Sequence, residues 1–200
     1  MPLETIIASQ GYDLHGDDWE RTIWGVPSLG LLGRLPMALL EALRHPDCWF
    51  HWNTGATAIA GTSEARYTHS LALTRIYDLQ TAFPEHFFEF PKSEFTSLKE
   101  RIIARSLFDE ISTNTKTSMQ EMRRVLLDNN LTNARVIMVS SENHISRVLL
   151  DAMKVFREED GTPCRHLTLI GVSAHTTYGV HSINDVSVWE KPMSTTEDSR

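Results

Sequence analysis

Cysteine is scarce in this 200-residue chain: there are two, Cys48 and Cys164, far apart and in no CxxC pair. That spacing argues against structural zinc and reads as two ordinary thiols in a reducing compartment. No apolar run approaches the roughly 18 residues that a membrane helix needs. The opening MPLETIIASQ has neither the basic nor the apolar region of a secretory leader. Cations are in the minority, with 19 Lys and Arg against 26 Asp and Glu, for a formal charge of −7. Phosphate backbones and anionic bilayers are held by clustered Lys and Arg, so neither nucleic acid nor membrane is an expected partner. P-loop, GxGxxG, HxxxH and EF-hand spacings are missing too, and no metal site is expected. The expectation is a cytoplasmic protein whose partner is a small molecule.

What is present is enough to build a core: 41% of residues are hydrophobic and 22% charged. Apolar runs at ETIIAS, DCWFHWN, SLFDEIS, ARVIMVSS, RHLTLIGVS and DVSVWEK read as strands. Between them, SLGLLGRLPMALLEALRH, SEARYTHSLALTRIYDL, TKTSMQEMRRVLLDNN and NHISRVLLDAMKVFREE carry helical periodicity. Ser63 is the expected cap of the second of these, and Ser118 with Glu121 the expected capping box of the third. The last should bury Ile145, Leu149, Ala152, Met153 and Phe156 on one face. The Phe-rich segment 80–105 reads as a packed insertion or lid, and the polar tail 192–200 as disordered. Alternation of strands and helices predicts a single α/β domain over 1–191, with a mostly parallel sheet covered on both faces.

In such sheets ligands bind beyond the carboxyl ends of the strands, which directs attention to the loops there. SSENHISRV (140–148) follows a buried strand and opens a helix. Free amides at the helix start, the Ser141 hydroxyl, and His144 and Arg147 three residues apart suit an anion. The competing reading makes Ser141 a cap and the other two a solvated helix end. EISTNT (110–115) brings Glu110, Asn114 and Thr115 to a helix start, where capping alone explains the hydroxyls and the amide. NTGATAIAGTSEA (53–65) is a small-residue loop in which Gly55 would allow close approach, and Glu64 opens the next helix. His175, in SAHTTYG, follows a strand and is a candidate pocket residue. Asp13, His15, Asp17 and Asp18 read as a solvated loop.

Taken together, TGA with Glu64, EISTNT with Glu110, Ser112, Asn114 and Thr115, and SSENHISR with Ser141, His144 and Arg147 resemble the YdcF/SanA/ElyC-like family. Order and approximate spacing match over residues 5–172. The family's glycine pair after the first strand is replaced here by SQGYD. The resemblance implies a Rossmann-like three-layer sandwich with these residues converging at one end of the sheet. Some relatives bind S-adenosylmethionine, which makes it the candidate cofactor. The expected function is an enzyme or enzyme-like domain that takes a nucleotide-like or other anionic small molecule, with acid/base or phosphoryl-group chemistry. Glu64, Glu110 and His144 are then the catalytic candidates. Gly55, Asn114, Thr115, Ser141, Arg147 and His175 are the ligand-binding ones. The alternative is a non-catalytic S-adenosylmethionine- or nucleotide-binding module.

Overall fold

A computed structural model describes residues 3–157 and 167–176. Five strands form the central sheet: β1 (Glu4–Ser9), β2 (Trp49–Asn53), β3 (Ser106–Asp109), β4 (Ala134–Ser141) and β5 (Thr168–Ala174). All pairings are parallel, in the order β3-β2-β1-β4-β5. The chain therefore builds outward from β1 to β3, returns past β1 to β4, and continues to β5. That reversal creates a switch point between β1 and β4, where neighbouring loops leave in opposite directions and a crevice opens.

Both sheet faces are covered, and the strand pattern shows why. Ile6, Ile7 and Ala8 are buried one after another, as are Val136, Ile137, Met138 and Val139, the continuous burial of strands sandwiched between helices. Ile7, Ile137 and Val139 face a core that includes α1 (Arg34–Arg44), α2 (Glu64–Arg75) and α3 (Lys92–Ala104). Ile6, Ala8, Val136 and Met138 face α4 (Thr115–Asp128) and α5 (Glu142–Arg157). The architecture is the expected Rossmann-like three-layer α/β sandwich. None of its described helices is long and apolar enough to cross a membrane.

Several boundaries differ from the sequence expectation. The helix predicted from residue 28 begins at Arg34. Before it, Gly25–Val26 and Leu31–Leu32 pair antiparallel around the turn Pro27–Leu29, which ends in Gly30 at φ 66°. A left-handed residue cannot continue a right-handed helix, so α1 starts only beyond it. The capping box predicted on Ser118 is formed by Asn114 instead: its side chain accepts from the Thr117 amide at 3.0 Å, and Thr117 Oγ1 accepts from the Asn114 amide at 3.1 Å. Ser63 caps α2 as expected, accepting from the Arg66 amide at 3.4 Å.

The Phe-rich segment supplies short helical turns at Leu79–Ala82 and Pro84–Phe87 and then α3. Phe83, Phe87 and Phe95 are fully buried in the α1–α3 core, whereas Phe88 is 74% exposed. On α5, Ile145, Ala152 and Phe156 are buried as the periodicity requires, but Met153 is exposed and Val148 and Val155 take core places. The predicted strand DVSVWEK, the tail, Cys164 and Tyr178 lie outside the described residues.

Candidate functional site

At the switch point a cleft of about 220 Å³ opens above the carboxyl ends of the strands. Gln10, Gly11 and Tyr12 line it from the loop after β1, and Thr54 and Ala56 from the loop after β2. Thr113, Asn114, Thr115 and Ser118 line it from the amino end of α4, His144 from the first turn of α5, and Arg34 from α1. Four of the five loops singled out in the sequence thus contribute. Among the described residues, none from the loop after β5 lines it.

Arg34 is the residue the sequence reading missed. Its side chain is 1% exposed. Nε donates to Ser141 Oγ at 2.9 Å, and Nη1 donates to the carbonyls of Gln10 and Gly11. These bonds hold the guanidinium beside the cleft, with the Tyr12 ring centroid 5.6 Å from it. The sequence carried no signal for it, since a helix expected from residue 28 puts Arg34 in the second turn; in the structure Arg34 is the first helical residue, where the positive dipole end disfavours a cation. Another local gain has to offset that, and here it is the tertiary hydrogen bonding.

The second positive feature is the start of α4. Thr115 and Lys116 are the first residues of a 14-residue helix, and amides at those positions have no partner within the helix. Their approach is set by the loop before them. Asp109 is fully buried and accepts from the amides of Ile111 and Ser112 and from the Ser112 hydroxyl. Thr54 Oγ1 reaches the Ser112 carbonyl at 3.0 Å, tying the β2 and β3 loops together.

His144 joins the two strand ends. Its Nδ1 lies 3.0 Å from Ser140 Oγ and its Nε2 lies 3.2 Å from Thr115 Oγ1. Burial, and then the charges of Arg34 and Arg147, push the imidazole pKa down to about 4. The ring is therefore neutral at pH 7, with one nitrogen a donor and the other an acceptor.

The carboxylates expected to be catalytic stand elsewhere. Glu64 is fully buried and is not among the residues that line the cleft. Its Oε1 accepts from the Tyr12 amide at 2.6 Å and the Trp19 indole at 3.0 Å, and its Oε2 from the Thr57 hydroxyl at 3.2 Å. Burial pushes its pKa up, and the three hydrogen bonds and Arg34 oppose that push. It pins the loop after β1 to the loop after β2. Glu110 is exposed and ion-paired with Arg66, whose guanidinium lies 3.6 Å from the Phe108 ring centroid.

Of the expected binding residues, Asn114 and Thr115 line the cleft, while Ser141 acts one step back through Arg34. The Arg147 side chain is 70% exposed and faces Asp151 at 3.8 Å. Gly55 does allow a close approach, but of protein: a Cβ there would collide with the Glu110 carbonyl. His175 accepts from the Leu32 amide through Nδ1 at 3.3 Å and lies beside His86, away from the cleft lining. No cluster of three or more His, Cys, Asp or Glu among the described residues could hold a metal ion. Comparison of the chain with protein-family models, with curated proteins and with solved structures found no match.

Proposed function

We propose that this Rossmann-like domain binds a nucleotide-like or other small molecule through a phosphate or carboxylate group in the switch-point cleft. The observation that carries this reading is the convergence of the buried Arg34 guanidinium and the amino end of α4 on one cavity. The guanidinium supplies a fixed positive charge, and a helix start supplies oriented amides, so an anion is met from two sides. Asn114, Thr115 and His144 complete the wall.

Binding is better supported than catalysis by carboxylates, because none of the described residues lining the cleft is an acid. One observation favours proton chemistry as a second reading: His144 is neutral, in the wall, and hydrogen-bonded at both nitrogens. In that reading it receives or returns a proton beside the bound anion, with Ser140 setting the tautomer. S-adenosylmethionine would place its carboxylate at Arg34 and leave much of its body outside, since about 220 Å³ falls below the roughly 300–1,000 Å³ of pockets that enclose larger ligands.

Calorimetric titration with inorganic phosphate and adenosine monophosphate tests the binding reading. Wild-type protein is expected to bind at least one of them, and Arg34→Ala, checked for native circular dichroism, to bind neither. Retained affinity in Arg34→Ala would overturn it.

A further inference from the structure

Beneath the cleft the strand ends carry a row of polar residues. Asn53 pairs with Asp109 in the sheet register, and Ser9 pairs with both Trp52 and Val139. Continued by one residue, that register sets Gln10 between Asn53 and Ser140, and the Gln10 amide donates to the Val139 carbonyl at 3.0 Å. The carboxyl ends of four strands thus carry a row of Asp109, Asn53, Gln10 and Ser140 on the α4–α5 side. Ser118, from the first turn of α4, faces the same cleft.

Three members of this group have unpartnered side-chain atoms among the described residues: Asn53, which does not line the cleft, and Gln10 and Ser118, which do. Gln10 is 4% exposed, and its Nε2 makes no hydrogen bond. Ser118 is 3% exposed, and its hydroxyl makes none either. Both line the cleft. Buried polar groups are nearly always paired, so two orphans in one cavity wall mark where something else supplies the partner. Neither group is charged. An amide N–H₂ and a hydroxyl match neutral oxygens, with the hydroxyl able to give or take a proton. Hydroxyl groups on the bound molecule satisfy both.

Size narrows this further. About 220 Å³ falls below the roughly 300–1,000 Å³ of pockets that enclose drug-sized ligands. That suits an acidic group on a short hydroxylated carbon chain, whereas the base of a nucleotide would extend beyond the cleft. We propose that the cleft selects a small phosphorylated or carboxylated polyol, its acidic group at Arg34 and α4 and its hydroxyls on Gln10 and Ser118. This rests on the anion-binding reading above.

The test compares matched pairs by calorimetry on the full chain: glycerol 3-phosphate against propyl phosphate, and glycerate against propionate. The hydroxylated member of at least one pair is expected to bind about tenfold or more tighter, the scale of discrimination when a site's polar groups would otherwise stay unpaired. Ser118→Ala and Gln10→Leu should each shrink that ratio. Equal affinities within both pairs, or a ratio unchanged in both variants, would overturn the polyol assignment and leave anion binding standing. If none of the four compounds nor inorganic phosphate binds, the anion reading itself falls, and this inference with it.

Discussion

Arg34 Nε and Ser141 Oγ lie 2.9 Å apart although 107 residues separate them in the chain. The bond ties the helix after the first strand to the end of the fourth, across the switch point. Arg34, which the sequence reading gave no role, is buried at the cleft, and Arg147, expected to bind the ligand, is largely exposed.

Replacement of these arginines should therefore have opposite consequences. Arg34→Ala leaves the Ser141 hydroxyl and the Gln10 and Gly11 carbonyls short of a donor, at about 1–3 kcal/mol of stability. Anion affinity should fall by roughly a hundredfold, the scale of removing a buried hydrogen-bonded charge. Arg147→Ala should leave stability within about 0.5 kcal/mol of wild type and alter binding little. Urea denaturation and phosphate titration of both variants check this.

Glu64 acts as a staple between two loops, and its variants should report structure rather than turnover. Glu64→Gln retains an oxygen for the Tyr12 amide and Trp19 indole, so binding is expected to survive. Glu64→Ala strands both donors, at ~1–3 kcal/mol for each. Hydrogen exchange at the Tyr12 amide should accelerate in the alanine variant and stay slow in the glutamine one.

The depressed pKa of His144 makes a prediction with a definite sign. In the unfolded chain the imidazole takes up a proton near its ordinary value of 6.5, whereas in the fold it resists until about pH 4. Between those values the unfolded state holds more protons, so stability falls as pH falls across that window. His51, His69 and His175 are also lowered by burial and act in the same direction. The raised Glu64 opposes them. Denaturant midpoints at pH 7, 5.5 and 4.5 should decline less steeply in His144→Asn than in wild type, with a residual slope from the other histidines.

Gly55 offers a steric test of the loop contact. Its backbone lies against the Glu110 carbonyl, leaving no room for a methyl group. Gly55→Ala should cost about 1–3 kcal/mol, as overpacking does. It should also weaken phosphate binding, because the displaced loop carries Thr54, which lines the cleft and holds Ser112. Thermal denaturation and calorimetry on the same preparation would register both effects.

The sheet was legible because its evidence is local. ETIIAS and ARVIMVSS are strands over the residues that hydrophobic runs indicate, Glu4–Ser9 and Ala134–Ser141. Burial on both faces leaves few choices for such runs. That EISTNT and SSENHISR would contribute to one cleft was legible for the same reason: Asn114, Thr115 and His144 stand next to strand ends and helix starts, and strand direction brings those ends together.

Residue roles within the site were a different matter. Arg34 and Arg147 are the same chemical group near the start of a helix, and nothing in either neighbourhood states which one the fold buries. Glu64 and Glu110 both precede or open helices, yet one is enclosed by Tyr12, Trp19 and Thr57 and the other meets Arg66 in solvent. Their partners are 44 to 52 residues away, apart from Thr57. By itself the sequence determined the strand–helix alternation and the end of the sheet where chemistry would gather, since periodicity and capping act over a few residues. Only the tertiary structure decided that Arg34 and the orphaned Gln10 amide face the cleft and that Glu64, Glu110 and Arg147 do not line it. Desolvation and hydrogen-bond geometry depend on contacts between segments far apart in the chain.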